Sequence, residues 1–403
     1  MASAVAGAAA ALVTLSACGI GSGMPGDKAG AATGPTQAAG AGASSPSATP
    51  TPTVVLSTNV RPGASDVAVD KVLTAKASDG KVTAVSVVSK AGKVAGTLSA
   101  DGSSWHADGL LEPGSTYTMK VAGVGSDGLK DTSTTRFKTQ PLTLDQQTFP
   151  SVYPLPGQTV GVGMPVIVKF DVAVTDKANF EKHMHVVTEP AQQGSWYWIS
   201  DHEAHWRPKT FWKPGTKVAV HLDLNSVPAG NGIYGQESRD ADFTVGASHI
   251  YKVDMRTDEM KVYSNGTLLR TIPVTTGKPG FTTRSGIKVI IEKSADQPMN
   301  SETIGIGKNN PNYYDLSDVK WAMRLTNSGE FIHAAPWSVY AQGHENVSHG
   351  CTGMSTANAD WLYHMTLPGD VVIETGTSRP MEFTNGYGDW NKSWQEYRAG
   401  SAL

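Results

Sequence analysis

"IHAAPWSVYAQGHENVSHGCTGMS", residues 332–355, holds one of only two cysteines in the chain. Cys351 lies two residues after His349 and eighteen after His333, with Gly350 and Gly353 on either side. A free thiol titrates at about 8.5, so only a few per cent is thiolate at neutral pH. A neighbouring imidazole can take the proton and deliver a strong nucleophile. Gly350 permits a tight turn in which successive N–H groups converge on one point, as an oxyanion site requires, and Gly353 can serve the same turn. Two other readings suit these residues locally: a buried structural cysteine and a metal site. Structural zinc takes four ligands and no further Cys lies nearby, so no metal is assigned.

The other cysteine decides how much weight the first carries. "AVAGAAAALVTLSACG", residues 4–19, is too short an apolar stretch to span a bilayer. Its end, Leu15-Ser16-Ala17-Cys18, resembles the lipobox of bacterial lipoproteins, in which the cysteine is lipidated and becomes the mature N-terminus. No Lys or Arg precedes the run, as a charged n-region would supply; the competing reading is an Ala-rich tail. With Cys18 lipidated, residues 1–18 are a signal peptide and the protein is membrane-anchored outside the cytoplasm. Disulfides are permitted there, yet Cys351 is left without a partner, which makes it a candidate reactive thiol.

Outward from these landmarks, 403 residues predict several domains. A formal net charge of −3 provides no basic stripe, which argues against nucleic acid as a partner. Glycine and proline are plentiful (43 and 23) and helix-periodic runs scarce, so strands are expected. Residues 19–52, ending in "SSPSATPTP", form a flexible tether. Residues 53–140 alternate in short runs such as "KVTAVSVVSK" and "TYTMKVAGVG" between turn signals, the pattern of an immunoglobulin-like sandwich. Residues 141–246 repeat that style in "PVIVKFDVAV", "GSWYWIS" and "KVAVHLDLN", a second such sandwich. Here His183, His185, His202 and His205 read as strand-surface side chains: the His202–His205 spacing is not that of a zincin helix, and Pro208 opposes one.

Residues 247–376 form a third, β-rich unit. It opens with a hairpin around Asn265-Gly266. "STANADWLYHMTL" is its clearest helix, capped by Ser355 or Thr356, with Ala357, Trp361, Leu362 and Met365 on one face. Residues 377–403 are an aromatic tail whose Trp390 and Trp394 are expected to pin it onto the third unit. The fold class is mostly β: two immunoglobulin-like sandwiches, then a β-rich domain with one or two short helices. The "NVS" sequon at 346–348 overlaps the cysteine motif and is set aside.

The opening stretch resembles the signature of the L,D-transpeptidases, the YkuD-type catalytic domain: a histidine, a spacer, then Ser-His-Gly-Cys. "GFTTRSGIKVI" is similar to that family's upstream Thr-x-x-Gly strand entry. Two immunoglobulin-like domains, a catalytic domain and a Trp-rich end resemble the layout of its actinobacterial members, and "HWRPKTFWKPGTKV" looks like a stretch of their second domain. The resemblance implies Cys351 as nucleophile and His333 as base, oriented by the backbone carbonyl of Ala334. It implies that Ser348, His349 and Gly350 shape the site, with the N–H groups of Gly350 and Cys351 facing the oxyanion. Tyr313 and Tyr314 are both candidates for substrate binding, with Met299 in a flap and Thr352 and Gly353 beside the thiol. His349 competes with His333, since residues two apart on a strand share a face; the family pattern favours His333. Many relatives have Asn where this chain has Gly353, which bears on donor positioning.

The implied activity is 3→3 cross-linking of peptidoglycan stem peptides without metal or organic cofactor, by a monomer that carbapenems acylate. Hydrolysis on the same site, as an L,D-carboxypeptidase, is one alternative. A non-catalytic wall-binding lipoprotein is the other.

Overall fold

A computed structural model describes residues 51–403. The expected leader, most of the tether and Cys18 lie outside the described residues.

Two four-stranded sheets face each other in the first unit. Thr116–Gly125 is its central strand, pairing with Gly80–Ser89 on one side and Lys130–Lys138 on the other. Its alternation places Tyr117, Met119 and Val121 in the core and their neighbours outside, as a half-buried strand requires. Tyr117 stacks on Phe137 at 5.4 Å, and its hydroxyl accepts from the Glu112 N–H at 2.8 Å, which fixes the sandwich corner.

The second unit has two further four-stranded sheets and a small three-stranded one. Val166–Phe170 is apolar almost throughout because it lies mid-sheet, between Pro150–Tyr153 and Glu203–Pro208. Trp196, Trp198, Trp206 and Trp212 fill the core between the sheets, with the Trp206 and Trp212 rings 5.4 Å apart. His205 is not a surface histidine. It is buried on its strand, where its Nδ1 lies 3.0 Å from Asp389 and its Nε2 lies 2.8 Å from Glu203.

In the third unit the first sheet has the order β3-β2-β1-β9-β4. Its strands are β1 (His249–Asp254), β2 (Glu259–Ser264), β3 (Thr267–Pro273), β4 (Gly286–Val289) and, from the far end of the unit, β9 (Val371–Thr375). The second sheet runs β5 (Glu292–Asn300), β6 (Asp315–Arg324), β7 (Phe331–Ala334), β8 (Thr352–Met354). The turn between β2 and β3 is Asn265-Gly266, both at positive φ, as a two-residue hairpin demands. The helix Thr356–Met365 follows β8, with the Ser355 hydroxyl accepting from the Asn358 N–H as its cap. It buries Ala359 and Leu362 against the core between the sheets, while Ala357 is exposed. Trp361 and Met365, partly buried, pack against the same core, and Trp361 also stacks under Arg270 at 4.0 Å, so of the face the sequence suggested only Ala357 turns outward.

The tail reaches beyond the third unit. Trp390 packs edge-on against Phe211 at 4.5 Å and donates to the Gly163 carbonyl at 2.7 Å. Arg207 lies over Trp390 and Tyr397, and less closely over Trp394. All these partners outside the tail belong to the second sandwich. The tail therefore pins onto that unit as well, because the stacked cation and the apolar ring faces lie there. Its contacts with the third unit include Asn391, whose amide brackets the backbone of Ile287, the Glu382–Arg284 ion pair, and Asn385, whose Oδ1 accepts from the Ser328 N–H at 2.9 Å.

Candidate active site

Three pieces of backbone meet at Cys351. The first is the parallel pairing of β7 and β8, which sets Ile332 beside Thr352 and His333 beside Gly353. Parallel neighbours need a long crossover, and residues 335–351 supply it, so the histidine of the motif lies on β7 and its cysteine at the entrance to the adjacent β8. The second is the segment after β3, where Thr275 exchanges both backbone hydrogen bonds with Gly353 and the Thr276 carbonyl accepts from the Ser348 N–H. Asn346 ties this segment down: its Oδ1 accepts from the Thr276 N–H, and its Nδ2 donates to the Met255 carbonyl. The third is Tyr314, just before β6, with Met299 from β5.

Together they line a cavity of about 330 Å³. Cys351, His333, His349, Ser348, Gly353, Tyr314 and Met299 are all on its wall; so are Trp337 and Tyr340 from the crossover, which are 52% and 75% exposed at its mouth. Tyr313 is not on the wall; its hydroxyl points toward Asp315. The register of the chain entering β6 thus separates two adjacent tyrosines that the sequence left equivalent.

His333 is buried, and its Nδ1 donates to the Ala334 carbonyl at 2.8 Å. A carbonyl can only accept, so Nδ1 holds the proton and Nε2 is left as a base. Burial lowers its pKa from the ordinary imidazole value, against the pull of that carbonyl, so the ring is neutral at pH 7. His349 is set differently. Its ring lies between Phe281 at 4.7 Å and Tyr314 at 5.0 Å, and its Nε2 is buried without a partner among the described residues. Burial, and then the Lys278 charge, lower its pKa too.

The Cys351 thiol donates weakly to the Gly329 carbonyl at 3.6 Å. Burial pushes its pKa up to about 12; the carboxylates of Glu330 and Glu374 add to the rise, while the Phe331 amide and the Lys288 charge oppose it. Beside it, burial and then the thiol's own charge push the Tyr314 phenol up to about 12. Thiol, phenol and imidazole are therefore all neutral at rest.

Two expected roles fall elsewhere. The Gly350 N–H already donates to the Ser348 hydroxyl at 3.0 Å, and that hydroxyl donates to the Cys351 carbonyl at 2.6 Å. The Gly350 amide is thus spent on shaping the turn, at φ +125°, rather than left facing the cavity. Thr352 is fully buried and turned from the cavity, its hydroxyl donating to Glu374 at 2.7 Å. Ala334 contributes its carbonyl alone, its methyl being buried. Trp337, whose ring stacks 5.9 Å from that of His333, had no role in the sequence reading although it stands in the opening stretch.

Residues 64–228 match the model of a bacterial Ig domain, a single match running across both sandwiches, and residues 248–373 match that of the L,D-transpeptidase catalytic domain. L,D-transpeptidase 2 of Mycobacterium tuberculosis is 38% identical over 349 residues, 86% of this chain and 85% of that one. L,D-transpeptidase 5 of the same species is 33% identical over 350 residues, 84% of this chain and 75% of that one. Among solved structures, an LD transpeptidase in complex with imipenem is 33% identical, covers 57% of this chain and 99% of its own, and superposes with a TM-score of 0.50. The catalytic-domain match takes in every residue of the cavity, and the identity extends over most of both chains. The chain belongs to the L,D-transpeptidase family, whose members are acyl-transferring enzymes.

Proposed function

We propose that this protein forms 3→3 cross-links in peptidoglycan through a thioester on Cys351. The observation that carries the reading is the convergence of the thiol and a neutral, carbonyl-oriented His333 on one cavity wall. Because the resting thiol holds its proton tightly, deprotonation belongs to the attack itself: His333 Nε2 takes the proton as Sγ bonds to the carbonyl of the donor stem's third residue. The bond to D-Ala then breaks, and the imidazolium returns the proton to the leaving amine. In the second half-reaction an acceptor side-chain amine attacks the thioester. Its proton passes through His333 to the departing sulfur, and the free thiol is restored.

Neutral aromatic and apolar groups line the cavity around the thiol: Tyr314, Met299 and Trp337. They suit the stem's aliphatic parts and keep the dielectric low where charge develops. Carbapenems, one of which the solved relative carries, would acylate the same sulfur by opening their lactam ring. Lipidation of Cys18 would hold the enzyme on the outer face of the cytoplasmic membrane, a reading that rests on the Leu15-Ser16-Ala17-Cys18 run.

Intact-mass measurement after incubation with meropenem tests the assignment. One adduct is expected on the wild type and none on Cys351→Ala. His333→Ala should acylate at least a hundredfold more slowly, in line with the loss of a positioned base. Full acylation of either variant at the wild-type rate would overturn its role.

A further inference from the structure

Beneath the thiol, on the side away from the cavity, lies a group of charges that the reaction above does not use. Lys288 on β4 is fully buried, and its ammonium contacts both Glu330 and Glu374. Glu330, just ahead of β7, also accepts from the Arg284 backbone N–H and from its guanidinium at 2.8 Å. Glu374, on β9, accepts from the Thr352 hydroxyl at 2.7 Å. Arg284 is held in turn by Glu382 at the surface.

Buried ion pairs make a poor stability device, since apolar side chains of equal volume often serve as well or better. Their position is what distinguishes them here. Thr352 follows the nucleophile directly. Glu330 follows Gly329, whose carbonyl accepts from the thiol. A Cβ built on Gly350 would lie 3.7 Å from Glu330 Cγ, so this carboxylate also flanks the residue before the nucleophile. The cluster therefore adjoins the residues on both sides of Cys351 and spans both sheets of the domain.

We propose that Glu374, Glu330 and Lys288 are positioning residues for Cys351: Glu374, held by Lys288, fixes the strand that follows the nucleophile through Thr352, and Glu330 flanks the turn before it, so that the cluster's charges are set beneath the sulfur. This rests on the nucleophile assignment above. The charged and titratable groups around the sulfur support it. Glu330 and Glu374 oppose the thiolate and Lys288 favours it, while Arg284 is engaged with Glu330. On the cavity side His333, His349 and Tyr314 are neutral. The charges that act on the sulfur are the cluster's, while Lys278 on the cavity side acts on His349.

The test uses the full chain and reads thiolate directly, as ultraviolet absorbance in difference against Cys351→Ala. Glu374→Gln and Glu330→Gln each remove one negative charge; either should lower the thiol titration by about one unit, so that thiolate at about pH 10 rises roughly tenfold. Thr352→Val keeps every charge and breaks the tether. It should leave the titration unchanged and slow meropenem acylation about tenfold, as a small misplacement of a nucleophile does. Two glutamine variants guard against one failing to fold, and Thr352→Val against both. Unchanged thiolate in the folded glutamine variants, or Thr352→Val acylating at the wild-type rate, would overturn the proposal. Absence of adduct on the wild type would instead strike the nucleophile assignment, and the inference with it.

Discussion

Gly353 is the one position in the motif where this chain parts from the pattern it resembles, and its surroundings give a physical reason. A Cβ built there would lie 2.8 Å from the Ala335 Cβ and 3.3 Å from the Thr275 Cγ2. Its backbone is fastened to Thr275 on one side and to β7 on the other, so it has little room to retreat. The glycine is thus matched to Ala335, which is buried at the start of the crossover. Gly353→Ala should destabilise the protein by about 1–3 kcal/mol, the usual cost of overpacking. In an Ala335→Gly background the same change should cost clearly less, because the two sites share one space. Thermal melts of the four proteins check this; strictly additive shifts would show that the contact is not the cause. The motif itself was legible because its chemistry is carried by residue types at short spacing. Glycine in place of asparagine was legible too, but not its reason, since Ala335 touches it only through the parallel strand pairing.

At the scale of elements, strands and turns were legible where period and turn chemistry are local, as in Thr116–Gly125 and the Asn265-Gly266 hairpin. Partners far apart in sequence were not. Lys288 meets Glu374 across 86 residues, and His205 meets Asp389 across 184. The second of these pairs explains why a strand histidine is buried. Burial alone would lower its pKa, but the carboxylates of Asp389 and Glu203 outweigh it and push it up to about 9. Tyr397 adds a hydroxyl donated to Asp389 at 2.9 Å, so the latch joins the second sandwich to the tail's last helix, Trp394–Arg398. A histidine raised in the folded state stabilises fully below its unfolded value of about 6.5, and that contribution is lost as pH rises through the folded value of about 9. Stability should therefore decline between these two pH values. Asp389→Asn should lower it by about 3–5 kcal/mol at pH 6, because the variant leaves a buried histidine without its charged partner. Denaturant melts across that pH range would decide the matter: a variant melting like the wild type at pH 6 would remove the latch.

At the scale of the molecule, the domain order was legible from composition and motif, but not which domains form one body. Val371, the first residue of β9, belongs to the same apolar cluster as the tryptophans of the second sandwich, and Ile250 and Ile287 pack against that cluster from β1 and β4. The Gly161 and Gly163 amides donate to the carbonyls of Pro368 and Gly369 in the turn before β9, and Trp390 closes the seam from the tail. The first sandwich is attached more lightly. Its polar links to the second are Asn225 to Glu112 at 2.8 Å and Ser226 to the Leu111 carbonyl at 2.6 Å, with Leu110 alongside. A shared core unfolds as a unit, whereas a small polar contact leaves two domains nearly independent. A fragment of residues 141–403 should thus melt in one calorimetric transition and acylate with meropenem within about twofold of the full chain. A fragment of residues 247–403 has the whole cavity but lacks the surface that covers Val371, at roughly 1.5–3 kcal/mol for a fully buried aliphatic side chain, and that partly covers Ile250 and Ile287. It should be destabilised by several kcal/mol or be insoluble, and acylate poorly for that reason alone. Two separate transitions in the longer fragment, or a shorter one as stable as the full chain, would show instead that the seam is only a docking contact.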